Sequence, residues 1–442
     1  MAGLRVRPAG PLRGEITVPG DKSITHRALL LGALADGTTE IAGALDGEDC
    51  RATARAVAAL GVSVDAAPGA PVWRVGGRGL GGLAEPPDVL DCGNSGTSMR
   101  LLAGVLAGQP FLAILTGDAS LRRRPMRRVV EPLIQMGAQC WGRQGGAYPP
   151  LAIRGGSLRG IDITLPVASA QVKSALLLAG LWAGGPVCVT EPALSRDHTE
   201  RMLGAFGVRL DRQGTTVRLA PGQALRAAPV HVPGDISSAA FFVVAALVVP
   251  GSDLVIRGVG LNPTRTGLLD ALREMGGDIA VAPREEGGGE PMGDLRVRAS
   301  RLRGTRIAGA MIPRLIDEIP ALTLAAACAE GTTRIADAAE LRVKEVDRIA
   351  ALAGELGRLG ARVDEEPDGL TIHGLGAGGA AGLTGAVCRS RGDHRMAMVL
   401  AVAGLVARGE TVVHETECIE TSFPGFTERL AHLVPGAGAA AP

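Results

Sequence analysis

The chain has 442 residues, 46% of them hydrophobic and 21% charged, with a formal net charge of +1. That length exceeds one ordinary core and predicts two domains. The near-neutral balance, with no block of like charge and only 2% aromatics, argues against a nucleic-acid-binding face or a base-stacking platform.

With so few rings, Leu, Val, Ala and Ile must build the core. The 46 basic residues are 43 Arg and three Lys, at positions 22, 173 and 344. A bias toward Arg explains why Lys is scarce; it does not explain where Lys persists. The seven cysteines are odd in number, scattered and without a CxxC pair. They fit a reducing, cytoplasmic setting and oppose a zinc site or disulfide framework. Apolar runs such as Ala239 to Val249 stop short of a membrane span. No signal-peptide core opens the chain. The tail PGAGAAAP, residues 435–442, is expected to be disordered.

In chain order, six apolar helical runs each end in Gly and lead into a short β-type run. They are RALLLGALADGTTEI, MRLLAGVLAGQPFLAI, SALLLAGLWAGGPVCVT, AAFFVVAALVVPGSDLVI, ALTLAAACAEGTTRI and MAMVLAVAGLVARGETVV. Their glycines (37, 108, 184, 251, 331 and 409) recur at steps of 67 to 80 residues. An amphipathic helix follows most of them and again stops at Gly: RATARAVAALG, RRVVEPLIQMG, RMLGAFG, LLDALREMG and IAALAGELGRLG. Those terminal glycines suit a left-handed C′ position, and strands such as VSVD, VRL and ARVDEE come next. The pattern predicts six β-α-β-α-β-β units. The first helix of each unit, apolar all round, should be buried; the second should lie nearer the surface. Six units divide into an upper domain of residues 21–236 and a lower domain of residues 1–20 plus 237–434. The first strand then joins the C-terminal half.

Each apolar helix starts with polar residues: Asp21-Lys22-Ser23, Asn94-Ser95-Gly96-Thr97, Ser169-Ala170-Gln171, Asp235-Ile236-Ser237-Ser238, Asp317-Glu318 and Asp393-His394-Arg395. Capping explains one Ser, Asp or Asn at each start. It does not explain the neighbouring Lys, Gln and Arg. A cation in the first turn opposes the helix dipole by up to about 1 kcal/mol, so an anion is expected beside it. Helix N-termini themselves favour phosphate or carboxylate. Converging starts would bind a multiply anionic substrate.

Lys is a compact point charge that can sit between two anions, which Arg cannot mimic. Lys22 and Lys344 fall in such stretches. For Lys173, one residue group further along, a functional role and a plain solvent-facing position both remain open. GDASLRRRPMRRVVEPL gathers five Arg around Pro125, either as an anion site or as a solvated loop feeding a helix. In LRVKEVDRIAAL, Glu345 is either a proton carrier or half of a surface i, i+3 ion pair with Arg348.

The stretches PGDKSITHRALLLGALADG, GNSGTSMRLL, LTGDASLRRRPM, SAQVKSALLLAGL, SRDHTERML, VKEVDRIAAL and GDHRMAMVLA together resemble the 5-enolpyruvylshikimate-3-phosphate synthase family. The resemblance runs from about residue 5 to residue 433; SAQVKSA and SRDHTER resemble its second bacterial class. It implies an α/β (α+β) protein of two domains. Each would hold three βαβαββ units with buried parallel helices and sheets outside, and the active site would lie in the interdomain cleft. It implies transfer of the enolpyruvyl group of phosphoenolpyruvate (PEP) to the 5-hydroxyl of shikimate 3-phosphate, with release of phosphate. It implies no cofactor, no metal, no nucleic-acid or membrane partner, and a monomer.

Carried over residue by residue, the family pattern puts Lys22 between both substrates. Shikimate 3-phosphate would be held by Ser23, Arg27, Ser169, Ala170 through its backbone, Gln171, Ser195, Asp317 and Lys344. PEP would be held by Asn94, Gly96, Arg124, Gln171, Arg348 and Arg395. Asp317 would take the proton of the 5-hydroxyl, and Glu345 would manage the proton at the PEP methylene carbon. The chain departs from the family at Val346, where Ser or Thr is common, at Leu101, and at Thr421, where one class has Lys. The related transferase acting on UDP-N-acetylglucosamine fits less well: it has Lys-Asn in place of Lys22-Ser23 and a Cys on the loop that here reads LTGDASLRRRPM. An RNA-cyclase reading lacks a matching motif.

Overall fold

The computed structural model describes residues 3–284, 289–376 and 382–434. The tail at 435–442, expected to be disordered, lies outside the described residues. The twelve helices that matter here fall into two sets. The inner ones are α1 (Lys22–Leu34), α3 (Gly96–Ala107), α5 (Ala170–Gly180), α7 (Ile236–Val248), α9 (Ile319–Ala327) and α11 (His394–Gly404). The outer ones are α2 (Glu48–Ala59), α4 (Arg127–Met136), α6 (His198–Ala205), α8 (Gly267–Glu274), α10 (Arg348–Arg358) and α12 (Phe426–Leu433). Apolar residues on every face bury the inner helices; all nine residues of α9 are buried. The outer helices bury one stripe, and the glycines ending the first five hold left-handed φ, for example 111° at Gly137 and 92° at Gly360.

Cα packing separates two compact units. One comprises Met1–Pro19, Gly234–Glu285 and Pro291–Pro442; the other comprises Gly20–Pro233 and Glu286–Glu290. Each has its own apolar core. In the first core Phe241 and Phe242 of α7 pack against Phe423 and Phe426, with ring centroids 5.7 to 6.4 Å apart. In the second, α3 and α5 approach so closely that a Cβ on Gly104 would collide with the Ala175 carbonyl.

Among the described residues, five four-stranded sheets and one of three strands cover these cores. The sheet Leu90–Asp91, Leu112–Thr116, Tyr148–Arg154, Gln139–Gly142 is typical: one parallel pair, then antiparallel pairing. Two strands depart from the local repeat. Arg13–Thr17 precedes α1, yet it pairs in parallel with Asp253–Gly260 of the first unit. Val230–His231 precedes α7, yet it pairs in parallel with Thr38–Ala42 of the second. Gly3–Val6 completes the three-stranded sheet beside Thr411–His414. Gly234 to Ile236, expected with residues 21–236, pack instead with the first unit. Asp235 donates its N–H to the Pro19 carbonyl at 2.8 Å, and Gly234 bridges Val259. Gly20, expected with residues 1–20, belongs to the second unit, where Asp21 donates its N–H to Pro233 at 2.8 Å.

Candidate active site

In the second unit the expected residues gather at the starts of α1, α3 and α5. Asp21 caps α1 by accepting from the Ile24 N–H at 3.0 Å. That places Lys22 at the first helical position, where its Nζ lies 3.0 Å from Asp49 Oδ2. Half-buried Ser23 follows. One turn on, Arg27 is buried. Its guanidinium donates to Thr199 Oγ1 at 2.6 Å, to the Ser23 carbonyl at 2.9 Å and to Ser174 Oγ at 2.7 Å. Burial draws its pKa down to about 10, which leaves it charged at neutral pH. Beside it His26 bonds Thr53 Oγ1 at 2.8 Å, and Thr53 bonds Ser98 at 2.6 Å. Burial, then Lys22 and Arg27, hold the His26 pKa well below 6.5, so the ring is neutral.

Ser95 caps α3 through the Ser98 N–H at 3.0 Å. Asn94 is held at both ends: it donates to Asp118 at 2.7 Å and accepts from Arg124 Nη2 at 2.6 Å. Of the five Arg around Pro125, only Arg124 is buried; Arg122, Arg123 and Arg127 are exposed, and Arg127 pairs with Glu131 along α4 and donates to the Gln144 carbonyl. A Cβ on Gly96 would stand 3.3 Å from Arg124 Nη1 and 2.8 Å from Arg100 Nη1, so Gly keeps that corner open. Arg100 reaches Gln171 Oε1 at 2.7 Å, and Gln171 donates to Thr97 Oγ1 at 2.9 Å. Ser169 caps α5, which brings Ala170 and Gln171 to its first turn. Ser195 is buried and donates to Glu191 at 2.5 Å.

The first unit gathers the remaining expected residues into an ionic cluster. Asp317 Oδ1 lies 3.2 Å from Lys344 Nζ and 3.4 Å from Arg348 Nη1, and Oδ2 lies 3.9 Å from Arg395 Nη2. Arg395 also donates to the Asp317 carbonyl at 2.9 Å. Glu345 accepts from Arg348 Nη2 at 2.7 Å. This is the i, i+3 pair named as the plain alternative, but it is no surface pair, since Arg348 is 1% exposed. Asp393 caps α11, accepting from Arg395 N–H at 2.8 Å, and takes Arg348 Nε on its other oxygen at 2.8 Å. Burial disfavours the charge on Arg348, but Asp393, Glu345 and Asp317 outweigh it and raise its pKa. Val346 packs against the apolar core, which suits Val there. Thr421 donates to the Cys418 carbonyl at 2.7 Å.

The anion expected beside the helix-start cations is supplied by the protein's own carboxylates: Asp49 for Lys22 and Asp317 for Arg395. Sequence reasoning left out Asp49 and Arg100. Asp49 reads as an ordinary acid at a helix start, and only the fold brings it to Lys22. Arg100 carried a weak signal, a cation inside an otherwise apolar helix. Asp393 was visible as a cap but not as the partner of Arg348. The fourth inner start binds no expected site residue. There buried Arg265 holds Ser237 at 2.7 Å and Asp235 at 3.3 Å as an internal strut.

These features have close relatives. The family model described as EPSP synthase (3-phosphoshikimate 1-carboxyvinyltransferase) matches residues 6–430. A protein named 3-phosphoshikimate 1-carboxyvinyltransferase from Desulforudis audaxviator is 57% identical over 430 residues, 97% of this chain and 99% of that one. One of the same name from Gloeobacter violaceus is 58% identical, over 97% of this chain and 98% of its own. The solved EPSP synthase of Acinetobacter baumannii superposes with a TM-score of 0.87 at 46% identity, covering 98% of both chains. With the match spanning nearly the whole chain in sequence and in fold, this protein belongs to the EPSP synthase family.

Proposed function

We infer that the chain transfers the enolpyruvyl group of PEP to the 5-hydroxyl of shikimate 3-phosphate and releases phosphate, a step of aromatic amino acid biosynthesis. The cluster of Asp317, Glu345, Lys344, Arg348 and Arg395 carries the reading of how it does so. PEP must gain a proton at its methylene carbon, and the acceptor hydroxyl must lose one. Two carboxylates set among cations supply both transfers, each typically worth about 10²–10⁴-fold. Lys344, Arg348 and Arg395 are balanced by Asp317, Glu345 and Asp393 before any ligand arrives. A multiply charged anion entering that balance favours protonation of a neighbouring carboxylate. Glu345, which accepts from Arg348, is assigned as the proton donor; Asp317 is assigned as the base for the hydroxyl.

Arg124, Arg348 and Arg395, with Asn94, Gly96 and Gln171, are assigned to PEP, because planar guanidinium forks match phosphate and carboxylate. Ser23, Arg27, Ser169, Ala170, Gln171 and Ser195, with Asp317 and Lys344, are assigned to shikimate 3-phosphate. Lys22 is assigned to both. The domain division at residues 20 and 236, shifted to the packing boundaries, belongs to the same reading. So do a monomeric state and a cytoplasmic setting, which seven free thiols suit.

Phosphate release from PEP with shikimate 3-phosphate, set beside PEP with UDP-N-acetylglucosamine, tests the reading. Release is expected only with shikimate 3-phosphate and should be largely lost in Lys22→Arg. Full activity in Lys22→Arg would overturn the role given to that Lys.

A further inference from the structure

Lys173 is the one Lys that the assignment above does not use. It does not face solvent: it is 2% exposed, on the second turn of α5, with Nζ 2.6 Å from Glu191 Oε2 and 2.8 Å from Glu200 Oε1. Glu191 is equally buried. Its other contacts are to the two serines assigned above to shikimate 3-phosphate. It accepts the Ser195 hydroxyl at 2.5 Å, the Ser195 N–H at 3.4 Å and the Ser169 N–H at 3.2 Å. Ser169 Oγ accepts from the Val172 N–H at 3.4 Å as the α5 cap, so its own O–H can point outward.

This arrangement poses an electrostatic problem. A phosphate takes only donors, and a carboxylate behind the donors repels it. A buried carboxylate without a counter-charge costs several kcal/mol by itself. An ammonium shared between Glu191 and Glu200 offsets one of their two charges with one compact group. An Arg fork is longer and planar, which explains why Lys persists here against the drift to Arg.

We propose that Glu191 and Lys173 form a positioning pair for the substrate's phosphate. Glu191 takes both Ser195 donors and the Ser169 N–H and so holds that corner rigid, while Lys173 offsets the Glu191 charge so that a dianion can meet the Ser169 O–H. Neither residue touches the reacting atoms. The proposal rests on the assignment of Ser169 and Ser195 to shikimate 3-phosphate made above, and adds that the phosphate is the part that meets them.

The test uses the full-length protein, with shikimate 3-phosphate binding measured by calorimetry beside steady-state kinetics. Lys173→Met should weaken shikimate 3-phosphate by about tenfold to a hundredfold, the range for one charge-assisted interaction. The KM for PEP and kcat should stay within about threefold of the parent. Glu191→Gln, which keeps the acceptor oxygen but drops the charge, should leave that affinity unchanged or tighter. The double variant should recover most of the loss in Lys173→Met. If Lys173→Met does not fold, the double variant carries the test: it should bind within about threefold of the parent. Equal weakening in Lys173→Met and Glu191→Gln, or no weakening in Lys173→Met, would overturn the pair. Ser169→Ala separates this from the underlying assignment. If Ser169→Ala weakens shikimate 3-phosphate and Lys173→Met does not, the pair alone fails. If neither Ser195→Ala nor Ser169→Ala weakens it, the phosphate assignment fails and the pair with it.

Discussion

The two units build their share of the expected residues from the same repeat but charge it differently. In the second unit hydroxyls, a carbonyl and an amide hold the buried arginines, while Lys22 and Lys173 meet carboxylates. Arg27 spends its donors on Thr199, Ser174 and a carbonyl, and Arg100 meets Gln171. In the first unit cations meet carboxylates directly, and Arg348 alone is bound to Asp393, Glu345 and Asp317. The inner helix starts show the contrast in one residue. Asp21 caps α1 through the Ile24 N–H; Asp393 caps α11 and also anchors a buried guanidinium. A hydroxyl framework yields little when a proton moves, so it suits holding a substrate. A balanced ionic cluster shifts whenever one charge is added, so it suits proton transfer.

Four variants break or sharpen that contrast. The largest effect is expected at Glu345→Gln. Loss of the proposed donor should lower kcat by about 10²–10⁴-fold with little change in substrate KM, as read from phosphate release. Its unfolding midpoint should barely move, because Gln keeps an acceptor oxygen for Arg348, and Asp393 and Asp317 still hold that guanidinium. If kcat survives, the ionic cluster binds without doing chemistry, and the contrast collapses.

Asp393→Asn should come next. Asn still caps a helix, so the change isolates the pair with Arg348. Leaving that buried guanidinium short of its partner should cost about 3–5 kcal/mol by urea unfolding, with weaker PEP binding. The second unit supplies the packing control. Gly104→Ala forces a methyl group against the Ala175 carbonyl and should cost about 1–3 kcal/mol. It should lower the melting temperature without selectively changing either substrate's KM.

The smallest effect is a pH dependence in the hydroxyl network. The folded His26 ring titrates well below 6.5, whereas the unfolded ring titrates near it. Its contribution is therefore fully present above about pH 6.5. It is lost as pH falls toward the folded value, by at most about 1.4 kcal/mol per pH unit. In His26→Gln, the drop in stability between pH 7.5 and 5.5 should shrink by about 1 kcal/mol.

Much of the site was legible because its residues sit at helix starts, and helix starts have local signatures. Asn94, Gly96, Ser169, Gln171 and Arg395 could all be placed there from the sequence. The partners of those residues could not. Asp49 lies 27 residues from Lys22, and Asp393 lies 45 residues from Arg348. No local preference distinguishes them from surface acids. The five-Arg loop was ambiguous for the same reason, since only packing selects Arg124 for burial.

By itself the sequence determined the six-fold repeat, the buried and amphipathic helices, and the left-handed glycines that end the outer helices. Each follows from side-chain periodicity or a backbone angle within one turn of chain. Only the tertiary structure decided that Arg13–Thr17 pairs beside Asp253–Gly260 and Val230–His231 beside Thr38–Ala42. It also decided that Lys173 lies buried between Glu191 and Glu200. A strand's hydrogen bonds and a buried ammonium's counter-charges are satisfied by whatever the fold brings near. Those partners are set by long-range packing, which local sequence does not encode.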